Sequence, residues 1–150
     1  MADAQQLRAA LNGSTTIEIL DAAGDPPERY RLRYRIASLA PGDGKSTDPV
    51  PAHEHDVEVT LTSDYPRLAP VCRMLSPIFH PNIDTSTICV GDHWTAGERL
   101  VDLVVRIGEM LAFQAYNIRT PPNAPAAMWV DLHPDRLPTD PRDLRPANLG

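Results

Sequence analysis

The most reactive side chains of the sequence lie in one irregular segment, residues 76–94. Its centre is Cys89, between Ile88 and Val90. A thiolate is a strong nucleophile, and a thioester formed on it can pass its acyl group to an amine. Asn82, seven residues earlier, brings a neutral amide that can donate a hydrogen bond to a developing oxyanion. These residue types would suit acyl transfer through cysteine, but a lone cysteine is more often a small buried core residue, so both interpretations are open at this point.

Two other interpretations of the same side chains stay open. Cys89 and His93 could form a hydrolase dyad with Asp92 alongside, although adjacent Asp and His side chains do not easily orient one another. Zinc could bind histidine and cysteine, but the spacing fits no known ligand pattern, so we expect no metal. The residues concerned are His53, His55, Cys72, His80, Cys89 and His93. Cys72 alternates with Met74 in a predicted strand, which is most simply a core position.

The elements that position this segment can be predicted from periodicity. Residues 2–11 are rich in Ala, Gln and Leu and predict a helix that stops at Asn12-Gly13. Apolar residues at 100, 103, 104, 107 and 111 predict an amphipathic helix, and a further helix is predicted over residues 125–132. Strands are predicted at 15–20, 30–36, 55–61 and 71–75. A run of four strands with helices at the ends predicts an α+β fold with an antiparallel meander.

Charged residues alternate along two of the predicted strands. Arg31, Arg33 and Arg35 occupy one face of the first, and Asp56 and Glu58 occupy one face of the second. If the strands are antiparallel neighbours, each opposed pair contributes about 0.2–1 kcal/mol. We therefore expect the arginine row to form a solvated sheet face rather than a ligand clamp.

Composition excludes several classes of function. The 150 residues predict one domain, and the net charge of −6 argues against a nucleic-acid binder, which needs a basic face. No stretch approaches the roughly 20 apolar residues of a membrane span. The first residues lack the basic start and apolar run of a signal peptide, so we expect a cytoplasmic protein. Thirteen arginines stand against one lysine, Lys45, as in a GC-rich genome.

The irregular segment carries a recognisable motif. His80-Pro81-Asn82, the cysteine seven residues later and Trp94 beyond it resemble the active-site signature of ubiquitin-conjugating enzymes. The resemblance extends to the flanks, to the order of elements and to about residues 2–132. Flanking matches are Tyr65-Pro66 with Pro70, similar to the family's element after its third strand, and the proline-rich residues 120–125, similar to its loop beside the cysteine.

The resemblance implies a role for each motif residue. Cys89 would accept a ubiquitin-like protein from an activating enzyme and pass it to an amine on a target, with or without a ligase. Asn82 would stabilise the oxyanion or brace the active-site loop, and His80 would be structural. No cofactor is implied. The alternative on the same fold is a non-catalytic module that binds ubiquitin-like proteins.

Supporting and docking residues follow from the same resemblance. Asn123, and Asp84 or Asp92, would orient or desolvate the incoming amine. Partners would bind at Arg67, Trp94 and Arg8.

Departures from the family pattern concern the surroundings of the cysteine and the two ends of the chain. One residue fewer separates Asn82 from Cys89, and about three fewer separate Cys89 from Trp94. Arg67 replaces an apolar docking residue, and the first helix carries a single basic residue, Arg8. We expect a catalytic domain over residues 1–132 and a proline-rich tail over 133–150, in place of the last helices, that buries little. By analogy, such proteins resemble the conjugating component of bacterial ubiquitin-like operons linked to antiphage defence.

Overall fold

The computed structural model describes residues 2–42, 48–84, 86–88, 90 and 94–146. Within these residues the α-helices are α1 (Ala2–Leu11), α2 (Leu100–Leu111) and α3 (Ala124–Leu132), and a single 3-10 turn follows at Pro134–Arg136. The strands are β1 (Ile17–Gly24), β2 (Pro27–Tyr34), β3 (Ser38–Ala40), β4 (Val50–Ala52), β5 (His55–Thr60), β6 (Val71–Met74), β7 (Ile83–Asp84) and β8 (Thr87–Ile88). The predicted α1 is confirmed, and Gly13, with a φ of 78°, supplies the left-handed residue that ends it.

The strands form an antiparallel sheet in the order β1-β2-β5-β6-β8-β7, and β3 pairs with β4 in a small separate sheet. The first four strands of the large sheet, β1, β2, β5 and β6, are the predicted meander, so the α+β fold class is confirmed. The sheet is wider than predicted, because the β7–β8 hairpin inside the irregular segment adds to the edge of β6. That hairpin ties the segment to the sheet.

The predicted pairing of basic and acidic rows is confirmed. Arg31 lies opposite Glu58, and Arg33 lies opposite Asp56. The Arg33 guanidinium donates from Nε and Nη2 to the two Asp56 oxygens at 2.8 and 3.0 Å. This contact lowers the pKa of Asp56, and the face belongs to the sheet rather than to a ligand site.

Helix α2 is the centre of the core. Its predicted apolar stripe is buried against the inner sheet face, and the phenol of Tyr34 donates a 2.7 Å hydrogen bond to the carbonyl of Val104. The buried α2 residues are Leu100, Val101, Leu103, Val104, Val105, Ile107, Gly108 and Leu111. None of the helices in the described ranges has the length and apolar character needed to cross a membrane.

The expectation that the segment after residue 133 buries little was wrong for Leu144, which is 3% exposed and belongs to the main core. It packs where Gly108 leaves room: a Cβ added there would lie 2.9 Å from Leu144 Cδ1 and 3.1 Å from the Tyr34 ring. Asp140, also buried, accepts a 3.0 Å hydrogen bond from the main-chain N–H of Ala37. One apolar side chain and one carboxylate therefore fasten this segment to α2 and to the end of the sheet.

Candidate active site

The β7–β8 hairpin holds the irregular segment, residues 76–94, against the rest of the sheet. Ile83 and Ile88 pair across it, and both side chains are buried, which fixes the hairpin on the core. Cys89 follows Ile88 in the sequence but lies outside the described residues, as do Asp92 and His93. Val90 is described and is 5% exposed. The site is therefore defined by the side chains around this position.

His80 lies on the floor of the site and is completely buried. Its Nε2 donates to the carbonyl of Met110 at 2.7 Å, and its Nδ1 accepts from the main-chain N–H of Asn82 at 3.0 Å. The ring also stacks on Phe113, with centroids 4.6 Å apart. Since Nδ1 must be unprotonated to accept, the imidazole is neutral, and burial lowers its pKa to about 4. Both ring nitrogens are hydrogen-bonded to main-chain groups of the protein, so neither is left to bind a substrate.

The Asn82 side chain holds the segment that follows α2. Its Nδ2 donates to the Asn117 carbonyl at 2.7 Å, and its Oδ1 accepts from the Asn117 main-chain N–H at 2.9 Å. Two hydrogen bonds between one carboxamide and one residue's main chain fix both position and orientation. Of the two predicted roles, bracing the loop matches this geometry. One Nδ2 hydrogen is left by these two bonds, and oxyanion stabilisation stays a prediction.

Asn123 joins the hairpin to α3. It is the N-cap of α3: its Oδ1 accepts from the Ala126 main-chain N–H at 3.2 Å, and its Nδ2 donates to the Ile83 carbonyl at 3.3 Å. Its main-chain N–H donates to the carbonyl of Pro81. The Asn123 side chain, for which the resemblance implied a role in orienting the incoming amine, is thus the N-cap of α3. Asp84 lies exposed on β7, and the amine-orienting role of both residues stays a prediction.

Sequence reasoning missed Asn117. Its side-chain Oδ1 accepts from the Arg119 main-chain N–H at 2.7 Å, which forms a tight turn at the rim of the site. Tyr116 and Ile118 on either side are 41% and 39% exposed. The only signal in the sequence was a polar residue between two apolar ones ahead of Pro121.

A groove of about 520 Å³ opens between α2, Asn82 and the residues after the helix; we call it the gate groove. Its walls are mainly apolar, with polar side chains at Asn82, Asn117 and Thr120 and one charged side chain at Arg106. It is lined by Asn82, Val90, Arg106, Met110, Ala115, Tyr116, Asn117, Thr120, Pro121 and Pro122. Because Val90 is one of them, the groove begins one residue from Cys89 in the chain.

The residues predicted to bind partners lie apart from this groove. The Trp94 indole N–H donates to the Pro66 carbonyl at 2.8 Å, and its ring lies 5.7 Å from that of Tyr65. Arg67 is exposed and pairs with Asp64 at 2.9 Å. Trp94 and Arg67 both line a second groove of about 560 Å³.

Leu68, which the sequence reasoning passed over, is 55% exposed beside Arg67 and lines the same groove. It offers the apolar contact that Arg67 lacks. Arg8 is exposed on α1. Partner binding by Arg67, Trp94 and Arg8 stays a prediction.

The zinc and hydrolase alternatives rest partly on Cys89 and His93, which lie outside the described residues. Elsewhere in the described ranges, no three His, Cys, Asp or Glu residues group as metal ligands would. His55 is buried with Nε2 3.2 Å from the carbonyl of Ile36. Cys72 is 2% exposed, as expected of a core residue, and burial raises the pKa of its thiol to about 12.

Comparison with known proteins identifies the family. The family model described as "Ubiquitin-conjugating enzyme" matches residues 44–136, and the chain belongs to this family. Three solved structures share the fold. A structure titled "Novel Ubiquitin-Conjugating Enzyme" is 18% identical with a TM-score of 0.65, and covers 89% of this chain and 84% of its own.

The other two structures are from Trypanosoma cruzi and Toxoplasma gondii. A putative ubiquitin-conjugating enzyme from Trypanosoma cruzi is 17% identical with a TM-score of 0.66, covering 89% of this chain and 88% of its own. The E2 domain of a Toxoplasma gondii ubiquitin-conjugating enzyme is 21% identical with a TM-score of 0.61, covering 89% and 87%. At these identities the likeness concerns the fold alone.

Proposed function

We propose that this protein is an active conjugating enzyme that carries a ubiquitin-like protein as a thioester on Cys89. The observation that carries the proposal is the bracing around the motif. Asn82 fixes the loop at Asn117 while a neutral His80 fixes Asn82, in a chain that belongs to the ubiquitin-conjugating enzyme family. A rigid frame of neutral groups suits transfer of an acyl group between a thiol and an amine.

The proposed reaction has two acyl transfers. In the first, the Cys89 thiolate attacks the thioester carbonyl carbon held by the activating enzyme. A new C–S bond forms, the old C–S bond breaks, and the activating enzyme's sulfur leaves as a thiolate. In the second, a target amine attacks the same carbon, the C–N bond forms, the Cys89 sulfur leaves, and the amine's proton passes to solvent.

His80 does not serve as a base in this scheme, because both ring nitrogens are bound to protein groups and its pKa is lowered to about 4. A hydrolase would need a base to activate water. His80 therefore cannot supply that base, and the hydrolase alternative relies instead on His93, which lies outside the described residues.

The gate groove is the proposed seat of the ubiquitin-like protein's C-terminal segment. An extended peptide needs a channel with apolar walls and main-chain hydrogen-bonding groups beside them. Met110, Tyr116 and Pro121 supply the walls, and Asn117 and Thr120 supply polar groups. Val90 lines the groove, so a tail lying in it would reach a residue directly next to Cys89 in the chain.

The test is formation of a thioester. The full chain is incubated with its cognate activating enzyme, ATP and the ubiquitin-like protein, and the products are separated on a non-reducing gel. We expect an adduct that thiols release, that Cys89→Ala abolishes and that Cys89→Ser converts to a thiol-resistant ester. Cys72→Ala is the matched control, because that thiol is buried, and it should leave the adduct unchanged.

Other outcomes have distinct meanings. An adduct that persists in Cys89→Ala would contradict the assignment. Binding of the ubiquitin-like protein without any adduct would favour the non-catalytic module.

We also propose, by analogy, a cytoplasmic role in a bacterial ubiquitin-like pathway directed against phage. The arginine-rich, lysine-poor composition supports a prokaryotic source. Genes for an activating enzyme and a ubiquitin-like protein beside this one, and phage protection that Cys89→Ala removes, are the expected findings. Protection that survives this substitution would contradict the role proposed for the thiol.

A further inference from the structure

A second cleft, of about 330 Å³, lies between the first turn of α1, the turn that joins β1 to β2, and the residues after β5. We call it the hairpin cleft. It is lined by Asp3, Ala4, Pro26, Pro27, Glu28, Tyr30, Leu61, Thr62, Ser63 and Tyr65. None of these residues lines the gate groove, so a ligand here would occupy a different site from the proposed substrate tail.

The polar groups of the hairpin cleft favour a cation. Asp3 and Glu28 contribute carboxylates, four of the other lining residues carry hydroxyl groups, and no lysine, arginine or histidine is among the ten. Burial raises the pKa of Tyr30; of the two charged groups that act on its hydroxyl, Arg8 on α1 lowers this pKa and Asp3 raises it. Two carboxylates against one guanidinium leave the cleft negative.

The Tyr30 hydroxyl gives this cleft a feature that surface acids alone lack. The Tyr30 side chain is 1% exposed and forms part of the lining, and its hydroxyl has no hydrogen-bond partner within the described structure. A buried hydroxyl without a partner is costly to fold, so such groups in natural proteins usually mark a missing water, ion or ligand. The hydroxyl oxygen has almost no exposed surface, so an N–H donor that enters from the cleft would satisfy it only by displacing the side chains that cover it.

The hydrogen bonding of Asp3 favours an ammonium group over a guanidinium group as the cation in the cleft. Its Oδ2 already accepts from the Tyr65 phenol at 2.5 Å, so a guanidinium fork on Asp3 would have to share that oxygen with Tyr65. An ammonium group is a compact charge with three donors that point in different directions. Such a group can use the other Asp3 oxygen, the Glu28 carboxylate and the Tyr30 hydroxyl as separate acceptors.

We propose that the hairpin cleft binds a primary alkylammonium group, either a free amine or a lysine side chain of a partner protein. The assignment does not depend on the proposed chemistry at Cys89. It makes the start of α1 a recognition site for a positive charge, and the ligand is held by Asp3, Glu28 and Tyr30.

The test is an NMR titration of the full, isotope-labelled chain at pH 7 and constant ionic strength. We expect n-butylammonium chloride to shift the amide signals of Asp3, Glu28, Thr62 and Ser63 saturably, and neutral n-butanol to leave them in place. Asp3→Asn and Glu28→Gln should each weaken binding at least fivefold. Asp131→Asn, which removes the same charge from the exposed face of α3, should not.

Tyr30→Phe tests the hydroxyl without disturbing the shape of the cleft. Because the hydroxyl lacks a partner, this variant should melt no lower than the parent chain and yet bind butylammonium at least threefold more weakly. Equal binding by Tyr30→Phe, equal shifts with n-butanol, or shifts that spread evenly over the surface would overturn the proposal. A variant that melts lower would show that the hydroxyl already has a structural partner, and would also overturn it.

A second titration separates the two sources. A short peptide with one internal lysine is compared with butylammonium and with the same peptide acetylated on the lysine. Tighter binding of the lysine peptide than of butylammonium assigns the site to a protein partner. Binding of butylammonium alone assigns it to a free amine, and equal binding of the acetylated peptide contradicts an ammonium site.

Discussion

The carboxamide of Asn82 and the main chain of Asn117 hold each other through two hydrogen bonds of 2.7 and 2.9 Å, across 35 residues of sequence. One partner sits at the start of the β7–β8 hairpin, and the other sits on the segment after α2. This pair closes the rim of the gate groove, so its strength sets how well the groove is formed.

Replacing Asn82 with aspartate should open this rim. The substitution keeps the acceptor for the Asn117 N–H but places a carboxylate oxygen against the Asn117 carbonyl, where no hydrogen can be shared. We expect a loss of about 1–3 kcal/mol in the free energy of unfolding, measured by urea denaturation. Hydrogen exchange should rise at Asn117, and transfer from Cys89 to an amine should fall at least tenfold.

The control for this change is a side chain of similar size outside the pair. Asn12→Asp alters an exposed position after α1 and should change neither exchange at Asn117 nor transfer. If Asn82→Asp left exchange at Asn117 unchanged, the pair would not be what holds the rim.

The protein should lose stability in mild acid through His80. Its pKa is lowered to about 4 in the folded chain, from an ordinary 6.5, so the unfolded chain binds a proton first as the pH falls. The stabilisation that neutral His80 contributes to the folded chain is complete above pH 6.5 and is lost progressively towards pH 4. Between pH 7.5 and 5 this amounts to about 2 kcal/mol. Burial lowers the pKa of His55 in the same direction and adds to the loss.

Urea denaturation at the two pH values measures this loss. A His80→Gln variant should be less stable at pH 7.5 and should show a smaller difference between the two pH values than the parent chain. His53→Gln changes an exposed histidine and should keep the parent's difference. A parent chain equally stable at pH 7.5 and 5 would contradict the neutral, buried state of His80.

Much of the fold could be predicted because it repeats along the chain. The alternation of Arg31 and Arg33, and of Asp56 and Glu58, predicted two strands whose charged faces meet if the strands pair, and the stripe beginning at Leu100 predicted α2. The β7–β8 hairpin could not be predicted, because two residues per strand carry no period. The motif placed His80 and Asn82 in the site but could not show that the Asn117 main chain accepts one hydrogen bond from Asn82 and donates another to it, since that contact joins residues far apart in sequence.

The segment after α3 shows the same limit. A single apolar residue among polar ones has no periodicity, so Leu144 gave no sign that it enters the core. Asp140 lies in the segment that was expected to bury little, yet it accepts from the Ala37 N–H and from the Arg142 guanidinium at 2.7 Å. These contacts hold the pKa of Asp140 well below its usual range.

Asp140→Ala should therefore destabilise the fold. It leaves the half-buried Ala37 N–H without its acceptor and removes the carboxylate partner of Arg142, with an expected cost of about 1–3 kcal/mol in the free energy of unfolding. Because the folded pKa is depressed, this stabilisation is present above about pH 4 and is lost as the pH falls further. Asp143→Ala, at an exposed position of the same segment, is the matched control. Equal urea midpoints for the two variants would show that the segment is not fastened by Asp140.

Gly108 should tolerate no larger residue while Leu144 is in place. An alanine Cβ would meet Leu144 Cδ1 at 2.9 Å and the Tyr34 ring at 3.1 Å, and overpacking of this kind costs about 1–3 kcal/mol. Leu144→Ala alone should cost about 2–5 kcal/mol, because it leaves a cavity in the core. In the double variant the new methyl group enters that space. Its loss in the free energy of unfolding should therefore be about 1 kcal/mol smaller than the sum of the losses of the two single variants. Strictly additive losses in urea denaturation would mean that Leu144 does not pack on α2 in solution.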